Sequence, residues 1–340
     1  MLSLNRLDLD LLGRKGIVMR KIIIILIIFC NNTLLGLAGL ENYGNICYMN
    51  ATLQALFACK PLTGELEKLQ AQKQLNAQPL LKEYYTLMKD HQKKNVAINE
   101  PVGFLTCVRE SNLLLGENPN TQQDASEFLN QFLDRINVPS IKNIFSFSLR
   151  TYYECTDAQK TINNKEEIFN KLDLEFTPLR DQKQQVSLDD LFNKFYEQEL
   201  FKASEQPKCF SDPTKKIASN WRAFVSGPKV LIVVPKRFGV RQEKGTFESF
   251  KILNPIVNAL QPISLHSENG RLQYNLFACV IHTGSTDSGH YMAVVRYGNQ
   301  WFFCDDDTVL PVTVQEAQQY TEGRDGRING QGYIYFFERA

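Results

Sequence analysis

The chain has 340 residues, of which 43% are hydrophobic and 22% charged, with 38 Lys plus Arg against 37 Asp plus Glu for a formal charge of +1. Such a composition excludes a disordered or collagenous chain, because enough apolar surface is present to build a core. The balanced charge excludes the one-sided field that would carry the whole molecule onto nucleic acid or an anionic membrane.

Ile22 to Phe29 form an unbroken apolar run, with Arg20 and Lys21 before it and Asn31 and Asn32 after it, shorter than the ~20 residues that span a bilayer. The run reads as the centre of an export signal, with Met19 a second candidate start and Gly36-Leu37-Ala38 the small residues a signal peptidase needs. A buried first strand or helix is the alternative, and a retained segment would act as a membrane anchor. Residues 1–38 are therefore set apart, and one composite domain is expected over 39–340.

Leu53, Leu56 and Phe57 lie at helical spacing, and Lys- and Gln-rich stretches with periodic Leu continue to about residue 100. Asp124 followed by Glu127 forms a D-x-x-E start signal for a helix whose apolar stripe is Leu129, Phe132, Leu133 and Ile136. Beyond about residue 143 the character changes. Segments 145–149, 229–234, 276–281, 290–297, 301–304 and 333–337 are rich in β-branched and aromatic residues. An α+β fold with a helical first half and a β-rich second half is expected. The eight cysteines include no C-x-x-C pair, so most are expected as reduced thiols, with Cys59, Cys107 and Cys279 as small core residues.

Cys47 stands where the turn Asn42-Tyr43-Gly44-Asn45 runs into the helix carrying Leu53. Unpaired N–H groups and the positive end of the helix dipole favour a thiolate there and can receive an oxyanion formed by its attack on a carbonyl. Such a nucleophile needs a base, and only His91, His266, His282 and His290 are available. Gly289-His290-Tyr291 opens a strand, and Gly298-Asn299 supplies a two-residue hairpin turn. Counting outward from Tyr297 and Gln300 sets His290 opposite Asp307, Tyr291 opposite Asp306 and Met292 opposite Asp305. Asp305 and Asp307 then share the histidine's face while Asp306 points away. Either carboxylate can orient the imidazole in a Cys–His–acid triad; a surface hairpin ending in an acidic turn is the plainer alternative.

Gly39-Leu-Glu-Asn-Tyr-Gly-Asn-Ile-Cys-Tyr-Met-Asn-Ala-Thr-Leu-Gln54 resembles the cysteine box of the ubiquitin-specific protease family, and Gln122-Gln-Asp-Ala-Ser-Glu-Phe128 the segment that follows it. His282-Thr-Gly284, Gly289-His-Tyr291, Trp301-Phe-Phe-Cys-Asp-Asp306 and Gly332-Tyr-Ile-Tyr-Phe-Phe337 resemble its histidine box, and Lys236-Arg-Phe238 also matches. The motifs fall in the family's order and cover almost everything from Gly39 onward. The resemblance implies a papain-like α+β fold with a helical thumb, a β palm and a β fingers insertion. It implies Cys47 as nucleophile, His290 as general base, Asp305 rather than Asp307 as its orienting acid, and Asn42 as an oxyanion donor. It places Gln123, Asp124, Glu127 and Tyr291 against the C-terminal tail of ubiquitin, with Asp306 assisting the site or capping its turn.

The implied activity is hydrolysis of the bond after ubiquitin's C-terminal glycine, with ubiquitin and its conjugates as partners and neither metal nor cofactor. An isopeptidase for a ubiquitin-like modifier, an inactive ubiquitin-binding module and a general papain-like peptidase are the alternatives. Ile46 and Ala51 stand where the family has threonine and serine. In the fingers, where relatives carry two C-x-x-C pairs for zinc, only Cys155 and Cys209 occur, too few for a tetrahedral site. A fingers element held by ordinary packing, or shortened, is expected. Ubiquitin chemistry is intracellular whereas the leader reads as exported; a protein exported into a host cell reconciles the two, and a cytosolic or membrane-anchored protein is the alternative.

Overall fold

The computed structural model describes residues 37–93, 98–111, 113, 122–156, 160–177, 181, 183–210, 212–243, 245–286 and 288–340. Residues 1–36 of the leader-like segment lie outside them. Among the described residues no helix is long and apolar enough to cross a membrane.

Eight α-helices are described: α1 (Cys47–Phe57), α2 (Lys60–Ala71), α3 (Pro79–His91), α4 (Val102–Glu110), α5 (Ala125–Arg135), α6 (Pro139–Phe145), α7 (Leu188–Tyr196) and α8 (Val314–Glu322). Six of them precede residue 146, as the periodicity predicts. Local chemistry sets several starts: proline stands in the first turn of α2, α3 and α6, where its missing N–H has no helical partner to lose. Reciprocal capping boxes, Ser187 with Asp190 and Thr313 with Glu316, open α7 and α8. At α5 only half of the expected box forms. Asp124 accepts from the N–H groups of Ser126 and Glu127, while Glu127 turns outward and accepts from Gln131.

The strands that position the site are β1 (Gly39–Leu40), β2 (Ile98–Asn99), β3 (Phe147–Cys155), β4 (Lys160–Phe169), β5 (Leu172–Leu174), β6 (Ile217–Ser226), β7 (Val230–Pro235), β8 (Phe238–Glu243), β9 (Thr246–Lys251), β10 (Ile263–Ser267), β11 (Gly270–Gly284), β12 (Gly289–Tyr297), β13 (Gln300–Asp305), β14 (Thr308–Val312) and β15 (Gln331–Arg339). The large sheet runs β14-β13-β12-β11-β10-β6-β3-β4, with β15 also joining β11 to β7 and β7 pairing with β5. Its central strands are buried on both faces, and period-2 alternation divides their side chains between two cores. Val230, Ile232, Val234, Ala293, Val295 and Cys304 join the helices in one; Leu231, Val233, Met292, Val294 and Phe303 meet α7 and α8 in the other. Helix α1 is buried along all 11 residues, Asn50, Thr52 and Gln54 included. It lies against β12 and β13 beneath the helical layer, so its N-terminus opens beside the start of β12.

The outer ends of β3 and β6 form the fingers. Here the structure departs from the expectation of ordinary packing: Cys155 and Cys209 form a disulfide across 54 positions. Both are buried with Ile217, and Tyr153 and Phe201 pack against them, in a cluster separate from the two main cores. A cluster that small gains from a covalent tether, because a cross-link narrows the unfolded ensemble. Cys47, Cys59, Cys107, Cys279 and Cys304 are free thiols; Cys59 and Cys279 are fully buried as expected, whereas Cys107 is only partly so.

Candidate active site

Cys47 is the first residue of α1 and is 3% exposed. The turn before it is organised by Asn42, whose Oδ1 accepts from the N–H groups of Gly44 at 3.0 Å and Ile46 at 3.2 Å. Asn tolerates this local turn because its side chain substitutes for a backbone acceptor. The hairpin register predicted from sequence is present: Tyr297 pairs with Gln300 and each pair follows outward to Ala293 with Cys304.

His290 Nε2 lies 2.6 Å from Asp305 Oδ1. That bond, and next the hydrogen bond to Cys47, hold the imidazole up at about 10 against the downward push of burial. With Nε2 committed to Asp305, Nδ1 is the ring nitrogen left for the thiol. The other three histidines have different settings. His91 is fully buried, bonds Ala38 O through Nδ1 and is pushed down to about 4 by burial. His282 is pushed down to about 3, chiefly by burial and then by Lys251. His266 is exposed beside Tyr196.

Beyond Asp305 the register count fails for a physical reason. Asp305 pairs with Thr308, so Asp306 and Asp307 form a tight turn in which Asp306 takes a left-handed φ of 47°. Alternation no longer applies there. Asp306 is turned inward, with Oδ2 3.9 Å from His290 Nε2, and Asp307 is exposed and accepts from Thr308. Four donors hold Asp306: Asn42 at 2.8 Å and Asn50 at 2.8 Å on its carboxylate, and Leu40 N at 2.8 Å and Gln54 at 3.0 Å on its carbonyl. Burial raises its carboxyl above the usual range while Asn50 and Asn42 oppose that shift. Positive φ in a non-glycine residue costs about 1–3 kcal/mol and persists only where surroundings over-determine it. Gly39 completes the arrangement, since a Cβ on it would sit 2.0 Å from Asp307 O.

On the opposite wall, Asp124 Oδ2 accepts from Tyr333 at 2.6 Å and Tyr291 at 3.3 Å, while Oδ1 caps α5. Tyr291 is only 4% exposed. Both are thus turned into the protein, joining α5 to the sheet, and Glu127 is the exposed acid of the pair. Gln123 is half-buried between Gln122 and Asp124. Gln122 was not singled out by sequence, yet its amide exchanges two hydrogen bonds with the backbone of Gly289, next to His290. Asn50 and Gln54 were likewise missed; the available signal was polar residues three and seven positions beyond Cys47 in an apolar helix, which places all three on one face.

A thiol, an imidazole and an orienting carboxylate at a helix N-terminus can carry out nucleophilic acyl transfer. His290, Asp305 and Asp306 offer ligand atoms within 4.8 Å of one another, a set a divalent cation could bridge; it coincides with the catalytic cluster itself. The family profile described as ubiquitin carboxyl-terminal hydrolase matches residues 38–337. The chain belongs to that family. Among curated members it is 28% identical over 345 residues to ubiquitin carboxyl-terminal hydrolase 12 of Salmo salar, covering 88% of this chain and 89% of that protein. It is 25% identical to ubiquitin carboxyl-terminal hydrolase 4 of Arabidopsis thaliana, covering 88% of this chain and 92% of that one. The fold of this hydrolase matches that in the SAGA Ubp8/Sgf11/Sus1/Sgf73 DUB module bound to ubiquitin aldehyde, with a TM-score of 0.67 and 20% identity over 90% of this chain and 70% of the other. The module bound to monoubiquitin gives 0.65 at 20% identity, covering 91% and 70%. The papain-like α+β fold expected from sequence is thereby established.

Proposed function

We propose that the protein is a thiol-dependent deubiquitinase that cleaves the bond after the C-terminal glycine of ubiquitin. The observation that carries this reading is the line of contacts from Asp305 through the His290 ring to Cys47. An imidazole held between a carboxylate and a thiol is placed to take the thiol proton as the sulfur attacks. The Cys47 sulfur adds to the carbonyl carbon, and the negative charge moves to the carbonyl oxygen. The N–H groups opening α1 receive that oxyanion, together with the second N–H of Asn42, whose first is committed to Asp306. As the tetrahedral intermediate collapses, the C–N bond breaks and His290 gives its proton to the departing amine. Water then attacks the thioester, His290 takes its proton, and Cys47 is released as thiolate.

Hydrolysis of ubiquitin carrying a C-terminal fluorogenic amide tests this. The wild type turns the substrate over, Cys47→Ala and His290→Ala do not, and a ubiquitin-like modifier with the same reporter is a poor substrate. Turnover of the modifier alone would assign the isopeptidase alternative, and cleavage of simple peptides would assign a general peptidase.

The same reading extends to location. The leader-like residues 1–38 and the fingers disulfide both support export, since disulfides form and persist in oxidising compartments; action on the ubiquitin of a host cell is the reading that reconciles export with this chemistry. Ala38 is fully buried and its N–H donates to His91 O, which favours removal of any leader upstream of Leu37 rather than at Gly39. Edman sequencing of the mature protein that returned Met1 would remove this proposal.

A further inference from the structure

His290 is the second residue of β12, so its place beside Cys47 depends on how the open end of the β11–β12 ladder is pinned. The last pairs are Thr283 with His290 and Gly284 with Gly289. A slip of one residue there would turn the imidazole to the other face of the sheet. The two glycines offer no side chain to anchor the loop, and Gly289 tolerates none, since a Cβ would fall 2.3 Å from His282 Nε2. The pins come from elsewhere. Gln122 holds the backbone of Gly289 from the helical side. From the other side, Lys251 Nζ donates to His282 O at 3.0 Å and to Gly284 O at 3.1 Å. One residue pair away, Ser249 Oγ meets Thr286 Oγ1 at 2.9 Å.

Lys251 ends the β8–β9 hairpin, whose strands, among the described residues, pair with each other and not with the large sheet. The outer part of that hairpin is solvent-facing, with Val240 and Phe247 exposed, whereas its base is fixed by Arg237. This wholly buried guanidinium donates to the carbonyls of Ile252, Asn254 and Gly332. Among the described residues Lys251 has no carboxylate partner, although burial and the nearby Arg237 charge lower its ammonium to about 8. A partly buried ammonium with carbonyl acceptors only is an unfavourable choice for mere packing, because an apolar side chain would avoid its desolvation.

We propose that Lys251 is a positioning residue for His290: by holding the carbonyls of residues 282 and 284, it fixes the ladder register that sets the imidazole between Cys47 and Asp305. The role rests on the catalytic reading of His290 but is tested by two independent readouts on the full chain. In Lys251→Met, which keeps the length and removes the donors, kcat on the fluorogenic ubiquitin amide falls about 10- to 100-fold with KM within about twofold, since misplacing a reacting group by an ångström has that order of consequence. The His290 ring titration, followed by NMR, moves down from about 10 in the same variant. Lys251→Arg restores most of both. A folded Lys251→Met with unchanged kcat and unchanged His290 titration overturns the proposal, as does equal loss in the Arg variant. Should the Met variant not fold, Lys251→Ala, which also removes the donors, is read in the same way. If the wild type does not cleave the ubiquitin substrate at all, the functional reading fails, while the titration still decides the role of Lys251.

Discussion

The side-chain amide of Asn50 donates to Asp306 Oδ1 at 2.8 Å across 256 positions of sequence. With Gln54 on the Asp306 carbonyl, this contact joins the helix that presents Cys47 to the turn that follows Asp305, so the two halves of the site are registered against each other. Asn50→Ala leaves the half-buried Asp306 carboxyl without its amide partner on that oxygen. The expected loss is about 1–3 kcal/mol of stability, the usual consequence of an unpaired buried polar group. Turnover falls with little change in KM, because the pair holds catalytic geometry rather than substrate. Denaturant unfolding and steady-state kinetics on the same preparation check both parts; a change in KM alone would show that Asn50 acts on binding.

Asp305 is the largest upward influence on the His290 ring. In Asp305→Asn the ring titration drops from about 10 toward the ordinary histidine value of about 6.5. Activity falls by about 10²- to 10⁴-fold, the range associated with a disabled general acid–base pair. NMR titration of the histidines separates this from Asp306→Asn, which leaves the Asp305 bond in place and shifts the ring much less.

The histidines also shape stability against pH, in opposite directions. His290 is raised, so its folded form binds a proton that the unfolded chain releases above about 6.5; its contribution is complete below that pH and is lost as pH rises toward about 10. His91 and His282 are lowered, to about 4 and about 3, so the unfolded chain binds protons that the fold refuses. Their effect is a loss of stability as pH falls below about 6.5. Urea midpoints measured across this range should therefore decline on the alkaline side in the wild type and decline less in His290→Gln. Parallel alkaline limbs in the two proteins would contradict the assignment.

Peptide mapping of protein purified without reductant should recover Cys155 and Cys209 in one linked pair, and both separately alkylated would contradict the disulfide. Cys155→Ser lowers stability by about 2–4 kcal/mol if the fingers unfold together with the rest, the usual range for such a cross-link. Because the fingers cluster is separate from the two main cores, increased hydrogen exchange in that variant is expected in β3 and β6 beyond Tyr153 and not in α1 or β12.

Much of the site was legible in the sequence because it rests on local rules. Two-residue turn chemistry at Gly298-Asn299 and alternation carried the register from Tyr297 to Cys304, and the N-terminal position of Cys47 followed from a turn running into a helix. Legibility ended where alternation ended. Asp306 was expected to face away, and a single left-handed residue turns it inward. Asn50, Gln54, Gln122 and Lys251 were not recognised as supports because each acts on backbone or side chains more than 30 positions away, and no periodicity encodes such contacts. Asp124 is expected both to cap its helix and to face the ubiquitin tail; the cap is present, and its carboxylate accepts four donors within the protein, two of them from tyrosines that no local pattern points to. The fingers disulfide was missed because two cysteines 54 residues apart are silent about whether the sheet brings them together.

The most direct test of the account is covalent capture by ubiquitin bearing a thiol-reactive group at its C-terminus, applied to the wild type and to Cys47→Ala, with a ubiquitin-like modifier probe alongside. A single adduct with the ubiquitin probe is expected, mapped to Cys47 and absent from the alanine variant. An adduct that persists in Cys47→Ala, or ubiquitin binding by the wild type without any adduct, would contradict a catalytic Cys47 and leave a binding protein in place of a hydrolase.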